Sequence, residues 1–288
     1  MSKRHPIIAV TGSSGAGTTT TGRIFSQIFS SEGIAAARVS GDSFHRYTRD
    51  QMAVLAEKGK YGQRNHFALD ANHIDRLEGL FHDYGINGSG QSREYVHDDD
   101  FELMREGFEP GTFTRWSPLA PDTDLLFYEG LHGGVVSEHY NIAQYVDLLI
   151  GVVPIVNLEW MQKIYRDTNM RGYSQEAVVK TIINRMDDYV QDIVPQFSHT
   201  HVNFQRVPMV DTSNPFVVTE LPNDDESLIV IRFRDHRDID FPYLLQMIPG
   251  SHMSRHNTLV IPGTKLGLAM DLIVRPMVLE LMAHKQFA

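Results

Sequence analysis

The 288-residue chain contains no cysteine, and this absence excludes disulfides, thiolate metal sites and thiol-based redox control. It also lacks a long apolar run. The longest candidate, residues 148–156, falls well short of the about 20 apolar residues that a membrane-spanning helix needs. Residues 1–10 contain too short an apolar stretch for the core of a signal peptide. We therefore expect a soluble cytoplasmic protein that has no membrane partner.

Basic residues are also scarce, and acidic residues outnumber them. Lys and Arg total 26 against 36 Asp and Glu, which gives a formal net charge of -10 at pH 7. A protein that coats nucleic acid needs a basic face to neutralise phosphates, so we expect no nucleic-acid partner. A phosphorylated substrate must instead meet a local cluster of arginine and lysine side chains.

Short apolar runs alternate with stretches of helical periodicity, and a hydrophobic content of 42% is ample for a large core. Continuous apolar runs are typical of parallel strands that are covered on both faces. The alternation predicts a three-layer α/β fold, with a mostly parallel central sheet and helices on both faces. The predicted strands are residues 7–10, 36–40, 125–128, 148–153 and 227–233, and the predicted helices are residues 18–31, 157–166, 175–194 and 265–285.

Residues 61–121 differ in composition from the rest of the chain. They are rich in glycine, histidine and aspartate, and residues 87–90 form a predicted flexible turn. A helical segment around residues 74–84 favours an insertion within the same domain over a linker. We therefore predict a single domain over residues 1–288, with an insertion at residues 61–121.

A glycine-rich loop follows the first predicted strand and leads into a helix. It keeps the glycines at the first and sixth positions of the phosphate-binding motif G-x-x-x-x-G-K-[ST]. Backbone N–H groups of such a loop point inward, and the helix N-terminus adds about half a positive charge, so phosphates bind without side chains. Thr19 occupies the position whose hydroxyl normally coordinates Mg²⁺, whereas Thr18 stands where lysine is expected. The predicted ATP-binding residues are Gly12, Ser13, Ser14, Gly15, Ala16, Gly17, Thr18 and Thr19.

Two other interpretations of this loop stay open on the motif alone. One is a strand-to-helix turn without a ligand. The other is a dinucleotide-binding G-x-G-x-x-G turn, which fits less well because threonines follow Gly15 and Gly17 where a third glycine is required. The residues that follow the other strands decide between them.

Carboxylates follow two of the predicted strands. Asp42 comes after the second strand and Glu129 ends the third, and open α/β sheets bind ligands at the carboxyl ends of their strands. Phosphoryl transfer to an alcohol needs a carboxylate that accepts or orients the hydroxyl proton. Asp42 is therefore the candidate base and Glu129 the candidate metal-associated acid. A helix N-cap is the alternative role for Asp42, whereas burying an unpaired Glu129 for structure alone would be costly.

Three basic side chains, His45, Arg46 and Arg49, follow Asp42 within a turn or two. They are placed to hold an anionic acceptor. The alternative is a solvated helix face that carries charge without a ligand.

A predicted lid covers residues 163–174, between two predicted helices. Arg166 and Arg171 could close over the γ-phosphate and supply the transition-state charge that Thr18 cannot, with Lys163 as a third cation. Spaced charges on a solvated helix face are again the alternative.

Taken together, these residues resemble the phosphoribulokinase and uridine kinase superfamily, and within it the bacterial phosphoribulokinases. The resemblance covers nearly the whole chain, and the longer blocks are more specific than the loop. Bacterial phosphoribulokinases also carry threonine at the position of Thr18, whereas uridine kinases keep the lysine. The blocks are the loop at 12–19, GDSFHR at 41–46, YEGLH at 128–132, VVPIVNLEW at 152–160, Arg166-Asp167, Arg171-Gly172, NFQRVP at 203–208 and VDTSNP at 210–215.

This resemblance implies a P-loop kinase fold and a reaction of the Calvin cycle, in which the ATP γ-phosphate passes to the 1-hydroxyl of ribulose 5-phosphate, with Mg²⁺ as cofactor. Plant members switch through a cysteine pair, which this chain lacks, so thioredoxin regulation is excluded. The implied roles are catalysis for Asp42, Lys163, Arg166, Asp167 and Arg171, sugar-phosphate binding for His45 and Arg49, and metal binding for Thr19 and Glu129.

The resemblance also implies a homo-oligomer, because bacterial members are typically octamers that respond to NADH and AMP. Arg234 and Arg255 match effector-binding arginines at a subunit interface. Ser31 stands where a further such arginine is found. We therefore expect NADH regulation to be incomplete in this chain.

Two alternatives to ribulose 5-phosphate phosphorylation stay open. A kinase for another phosphorylated sugar or alcohol would use the same fold, and the pocket around His45, Arg49, Tyr95 and His97 would decide the acceptor. A nucleotide-binding regulator without catalysis is the other alternative. It is disfavoured because sensing ATP needs no acceptor base such as Asp42.

Overall fold

The computed structural model describes residues 5–13, 18–58, 65–153, 155–170, 172–217 and 220–285, with the backbone alone at residues 18–20 and 56–58. None of the helices in these ranges has the length and the apolar character that crossing a bilayer demands. The strands are β1 (Ile7–Gly12), β2 (Ala36–Ser40), β3 (Gln91–Ser92), β4 (Ser117–Pro118), β5 (Leu125–Gly130), β6 (Leu148–Val153), β7 (Val202–Pro208), β8 (Ser227–Phe233), β9 (His252–Arg255) and β10 (Thr258–Pro262). The helices are α1 (Thr18–Glu32), α2 (Arg49–Lys58), α3 (Ile74–Asn87), α4 (Phe101–Arg105), α5 (Val156–Asn169), α6 (Gln175–Asn184), α7 (Met186–Asp188), α8 (Phe241–Met247) and α9 (Leu266–Lys285).

Eight of the described strands form one sheet, in the order β2-β5-β1-β6-β7-β8-β10-β9. The first five strands of that order run parallel to one another. The pairings from β7 to β9 are antiparallel, and β3 and β4 form a separate two-stranded ribbon. The predicted α/β fold with a mostly parallel sheet is therefore confirmed. Residues that follow β1, β2 and β5 meet at one edge of the sheet, because parallel strands end on the same side.

The two faces of the sheet pack against different helices. Along β1, Ile8 and Val10 lie in one core and Ile7 and Ala9 lie in the other, which is the alternation of a strand covered on both sides. Residues of α1 and α9 complete the first core, and residues of α3 complete the second. The inserted segment thus supplies one of the helices that cover the sheet, through α3.

All five predicted strands are present, but sequence patterns missed β7, β9 and β10 of the same sheet. In β7 the apolar pattern is interrupted by Asn203, which is nevertheless buried. Its Oδ1 accepts a hydrogen bond from Thr200 Oγ1 at 2.7 Å, and its Nδ2 donates to Phe197 O at 3.0 Å. A polar residue with both groups paired is tolerated inside a sheet, so composition alone hides this strand.

The prediction of one helix over residues 175–194 is wrong. Helix α6 ends at Asn184, and α7 continues into a π-helical turn at Tyr189–Ile193 and a 3₁₀ turn at Val194–Ser198. The apolar residues of the two parts pack in different places. Val178 and Ile182 join the α5 residue Ile164, whereas Tyr189 and Ile193 join a separate cluster. A single straight helix could not place its apolar residues in both clusters. Tertiary packing therefore overrides the helical periodicity of residues 175–194.

Gln196 connects three segments beneath the sheet edge and is itself buried. Its Nε2 donates to Leu131 O at 2.9 Å and to Asp192 O at 2.7 Å. Its Oε1 accepts from Gly134 N at 2.9 Å and from Thr11 Oγ1 at 3.1 Å. One amide side chain therefore satisfies four polar groups.

Replacing Gln196 with leucine is expected to lower the free energy of unfolding by about 2 kcal/mol, because buried partners left without a hydrogen bond cost ~1 kcal/mol or more each, whereas Thr11 Oγ1 keeps its bond to Leu131 O at 3.2 Å. Urea denaturation followed by circular dichroism measures the change. Gln246→Leu is the matched control, since Gln246 is exposed on α8, and it should stay within about 0.5 kcal/mol of the parent. Equal unfolding midpoints for the two variants would contradict the assignment.

Candidate active site

The edge formed by β2 and β5 brings together two predicted site residues. Ser40 pairs with Glu129 in the parallel register of these strands, and Asp42 follows within a 3₁₀ turn at Gly41–Phe44. Ser40 Oγ accepts a hydrogen bond from Asp42 N at 3.3 Å and so caps the turn. The candidate base and the candidate metal-associated acid therefore leave adjacent strands at the same level, as the sequence predicts.

Two glycines allow this close approach. A Cβ atom at Gly41 would lie 2.7 Å from Gly130 Cα, and one at Gly130 would lie 2.6 Å from Gly41 Cα. Both would also meet Tyr128 Oη, at 2.7 and 2.6 Å. Any side chain at either position would push the two strand ends apart, because real Cβ contacts are not this short. Glycine is required here for backbone approach.

Asp42 lies between two histidines at the wall of an open cleft. His45 Nε2 is 3.1 Å from Asp42 Oδ1, and His97 Nε2 is 3.6 Å from Asp42 Oδ2. Burial alone would raise the pKa of Asp42, but the hydrogen bond from His45 and the charges of His45 and His97 lower it to about 2. The carboxylate is thus ionised at neutral pH and 41% of its side-chain surface remains exposed. It is ready to accept a proton from a hydroxyl in the cleft.

The orientation of His45 is fixed by Asn72. Asn72 Nδ2 donates to His66 O at 3.0 Å and to Ala68 O at 2.7 Å, so its Oδ1 is left to face His45 Nδ1 at 2.8 Å. His45 Nδ1 must therefore carry a hydrogen. The other ring nitrogen, Nε2, faces the Asp42 carboxylate at 3.1 Å, so both ring nitrogens of His45 are engaged.

Neutral histidines surround this pair. The ring of His66 stacks on His45, with centroids 3.7 Å apart. Burial and the charge of His45 lower the pKa of His66 to about 3. His132, which contacts Phe67 O at 2.9 Å, has its pKa lowered to about 4, chiefly by burial. Both rings are therefore uncharged at neutral pH. The histidines in direct contact with the Asp42 carboxylate are His45 and His97.

Glu129 presents a carboxylate against the first turns of α1. A Cβ atom at Gly22 would lie 2.3 Å from Glu129 Oε2, so this carboxylate occupies the space that a side chain on the helix would fill. Mg²⁺ binds oxygen ligands and usually retains waters beside one or two carboxylates and substrate phosphates. Glu129 fits such a role, and the described residues contain no group of three metal-binding side chains that would form a dedicated cage.

The predicted lid cations lie on α5. Lys163 Nζ contacts Asp167 Oδ2, and Arg166 Nε donates to Asp167 Oδ1 at 3.0 Å. The Asp167 side chain is only 6% exposed, and burial would raise its pKa, but the charges and hydrogen bonds of the two cations lower it. Arg166 also lines the cleft. The structure thus brings Lys163, Arg166 and Asp167 together as one charged cluster.

The predicted phosphate-binding loop lies only partly within the described residues. Gly12 ends β1, and Ser13 follows it as a buried residue. Thr18 and Thr19 begin α1, for which only the backbone is described at these positions. Ser14, Gly15, Ala16, Gly17 and Arg171 lie outside the described residues.

Arg49 is engaged by an acidic neighbour. Its Nη1 and Nη2 donate to the two carboxylate oxygens of Asp98 at 2.8 and 3.1 Å. The hydrogen bond to Asp98 raises its pKa, against the effect of burial and together with Tyr95. An acceptor phosphate would have to share or replace the Asp98 contact, so Arg49 is close to His45 in sequence but is already paired.

The predicted effector arginines lie in the antiparallel half of the sheet. Arg234 follows β8 and donates from Nη1 to His199 O at 2.7 Å, and Arg255 ends β9, with both residues exposed. Ser31 Oγ accepts a hydrogen bond from Arg275 Nη1 at 2.9 Å. The effector roles of these residues remain predictions.

Sequence reasoning missed several residues of this site. Asn72 orients His45, and Arg93 donates to the turn that holds Asp42. Arg185 lies over the Phe67 ring at 4.6 Å, and its pKa is lowered by burial against the charges of acidic neighbours. Asn72 and Arg93 lie in the inserted segment, where no periodic pattern or motif distinguishes one polar residue from another.

Comparison with known proteins agrees with this geometry. The sequence model of the Phosphoribulokinase / Uridine kinase family matches residues 7–213. The chain is 56% identical over 291 residues to a phosphoribulokinase of Nitrobacter vulgaris, covering 100% of each. It is 56% identical over 288 residues to a probable phosphoribulokinase of Escherichia coli, covering 99% of each. The solved structure of a phosphoribulokinase from Rhodobacter spheroides is similar, with a TM-score of 0.90 and 51% identity over 99% of this chain and 100% of that chain.

The fold and the site define a P-loop kinase, an enzyme that transfers a phosphoryl group to an alcohol. The chain belongs to the phosphoribulokinase/uridine kinase family. As a kinase it uses ATP as phosphoryl donor, in general together with Mg²⁺.

Proposed function

We propose that this kinase transfers the γ-phosphoryl group of ATP to the 1-hydroxyl of ribulose 5-phosphate, forming ribulose 1,5-bisphosphate. The observation that carries the proposal is the ionised Asp42 carboxylate, held between His45 and His97 at the wall of the cleft. The high identity to proteins named phosphoribulokinase supports the choice of acceptor.

Asp42 accepts the proton of the acceptor hydroxyl as its oxygen bonds to the γ-phosphorus. The bond from the γ-phosphorus to the bridging oxygen of ADP breaks in the same step, in line with the attack. His45 holds the carboxylate in place through the contact at 3.1 Å. Because the transition state is loose, positioning matters more than high basicity, and the low pKa of Asp42 keeps it ionised at neutral pH.

Basic side chains near Asp42 suit a phosphorylated acceptor. His45 contacts Asp42 directly, and Arg49 and His97 lie on neighbouring segments. We propose that the acceptor phosphate binds Arg49, which exchanges part of its contact to Asp98, and that His45, whose ring nitrogens contact Asn72 and Asp42, serves the acceptor by holding Asp42. Charge-assisted hydrogen bonds of this kind are stronger than neutral ones and favour anions over uncharged nucleosides.

The donor side lies on β1, α1 and β5. We propose that the loop from Gly12 to Thr19 holds the ATP phosphates at the N-terminus of α1. Mg²⁺ bound there would be held by Thr19 and Glu129, and it would neutralise charge on the β- and γ-phosphates. Lys163, Arg166 and Arg171 would supply the cationic charge that Thr18 lacks. A homo-oligomeric assembly, octameric as in bacterial phosphoribulokinases, also remains a prediction.

The pH dependence of turnover tests the role of Lys163. Burial and the charge of Arg185 lower its pKa to about 8, although Asp167 acts in the opposite direction. The ammonium therefore loses its proton as the pH rises through about 8, and kcat is expected to fall over the same range. The arginine of Lys163→Arg keeps its charge at alkaline pH. The fall in kcat on the alkaline side of the pH profile, its basic limb, should therefore move to higher pH in this variant.

Steady-state rates measured from neutral to alkaline pH give this comparison. Lys180→Arg is the control, because Lys180 is exposed on α6, and it should leave the basic limb where it is. A basic limb at the same pH in the parent and in Lys163→Arg would show that another group titrates.

The acceptor is tested by an ATP-dependent phosphorylation screen over ribulose 5-phosphate, other pentose and hexose phosphates, and uridine. We expect the highest kcat/KM with ribulose 5-phosphate. Preference for another phosphorylated sugar would retain the kinase and overturn the acceptor. Equal rates with uridine would show that the cations near Asp42 do not select a phosphate.

A further inference from the structure

Arg93 contacts the turn that carries Asp42 from the inserted segment. It directly follows β3, and its Nε donates to Ser43 O at 2.8 Å while its Nη2 donates to His45 O. These two carbonyl groups lie on either side of Phe44. One guanidinium therefore holds the turn at two points immediately after the candidate base.

Two aromatic rings fix the guanidinium. Arg93 Cζ lies 3.7 Å from the ring centroid of Phe113 and 4.8 Å from that of Trp116. Trp116 also packs edge-on against Phe44, with centroids 5.5 Å apart, so the stack is attached to the same turn. A planar guanidinium stacks on aromatic rings while its fork of donors stays available. The orientation of Arg93 is thus set before any substrate binds.

The position is an unfavourable one for a cation. Among the residues that the structure describes, Arg93 has no carboxylate partner. Burial and the charge of Arg76 lower its pKa to about 10, so it remains charged at neutral pH. Arg93 is half-buried at the wall of the cleft, and even partial removal of a cation from water without a counterion costs stability. An apolar residue at this position could not donate the two hydrogen bonds to Ser43 O and His45 O.

We propose that Arg93 is a positioning residue of this kinase, which locks the Gly41–Phe44 turn so that the Asp42 carboxylate lies in line with the acceptor hydroxyl. The inference rests on the proposed function in one respect, the use of Asp42 as the acceptor's base. Arg93 acts through the carbonyl groups of Ser43 and His45, and the carboxylate of Asp42 does the chemistry.

A positioning role predicts a particular kinetic pattern. Misplacing a catalytic group by about 1 Å costs roughly 10²-fold in rate, so Arg93→Ala should lower kcat by about that factor. The KM for ATP should change by no more than about twofold, because the donor side lies on β1, α1 and β5. Arg93→Lys should stay impaired by about tenfold or more, since one ammonium on a flexible stem does not reproduce the guanidinium fork.

Arg76→Ala is the matched control. Arg76 Cζ also lies over the Trp116 ring, at 4.6 Å, but within the described residues Arg76 makes no hydrogen bond to the turn. The control should therefore keep the parent kcat. Chemical rescue adds a second readout, because free guanidinium ion can enter the gap left beside Phe113 and Trp116 in Arg93→Ala. Added guanidinium at millimolar concentration should restore part of kcat, and added ammonium should not.

The experiment measures kcat and both KM values for the full-length parent, Arg93→Ala, Arg93→Lys and Arg76→Ala, with and without guanidinium. Parent-like kcat in Arg93→Ala overturns the proposal, and so does an equal loss in Arg76→Ala. Loss of kcat without rescue by guanidinium also overturns it. If Arg93→Ala does not fold, Arg93→Lys decides, and parent-like kcat in that variant overturns the proposal.

Failure of the proposed function would be seen separately. The rate of the parent with ribulose 5-phosphate tests the acceptor, whereas the ratio of variant to parent tests Arg93. If the parent prefers another phosphorylated acceptor, the same ratios are measured with that acceptor.

Discussion

Asp42→Ala is expected to lower kcat by about 10²–10⁴-fold, the usual contribution of a general base, while ATP affinity stays close to that of the parent. In the proposed mechanism the carboxylate acts on the acceptor hydroxyl, and His45 holds it on the β2 side of the cleft. Asp42→Asn should be impaired to a similar extent, because the amide keeps the shape and loses the base. Steady-state kinetics gives kcat, and isothermal titration calorimetry gives ATP affinity.

Asp83→Asn is the control for this experiment. Asp83 is an exposed carboxylate on α3 that pairs with His82 at 2.9 Å, as Asp42 pairs with His45 at 3.1 Å. It should leave turnover unchanged. Near-parent turnover in both Asp42 variants would remove the base from the mechanism, even if ribulose 5-phosphate were confirmed as the acceptor.

Arg166→Ala is expected to lower kcat by about 10²-fold or more, as removal of one preorganised group that stabilises transition-state charge commonly does. Arg166 lines the cleft and its Nε is fixed by Asp167 Oδ1 at 3.0 Å, so its charge is already oriented. Charge on the transferring phosphoryl group is redistributed in the transition state, and the expected loss of ATP affinity is therefore smaller than the loss of kcat.

Arg237→Ala is the control, because Arg237 has 80% of its side chain exposed and pairs with Asp235 at the surface. Single-turnover rates and ATP binding measured in parallel separate the two effects. Equal losses in kcat and in ATP affinity would mean that Arg166 binds the ground state and the transition state alike.

The parallel half of the sheet could be predicted from sequence because its strands are continuous apolar runs. β1 and β6 are buried along almost their whole length, and such runs have few other interpretations. The strands of the antiparallel half were harder to predict from sequence. β7 carries Asn203 in a buried position, and β9 is mostly exposed, so neither has the pattern of a covered strand. They are recognised as strands through their partners, since β7 pairs with β6 and β8 and β9 pairs with β10.

The site could be predicted only in part, for a related physical reason. Asp42 and Glu129 are recognisable because each follows an apolar strand, and strand direction alone places them at one edge. Asn72 and Arg93 act across 27 and 50 residues of sequence, on His45 and Ser43. Such contacts depend on how the inserted segment folds back over the turn, which local patterns do not encode.

The backbone contact between Gly41 and Gly130 limits how an enzyme of this design can diversify. It joins the turn that carries the proposed base, Asp42, to the strand that carries Glu129. The spacing of two hydrogen-bonded strands therefore sets the distance between the acceptor side and the donor side of the cleft. Loops cannot alter that distance without breaking the contact. Selection for a new sugar would therefore act on the inserted segment, around Arg93 and His97, and leave the machinery for ATP untouched.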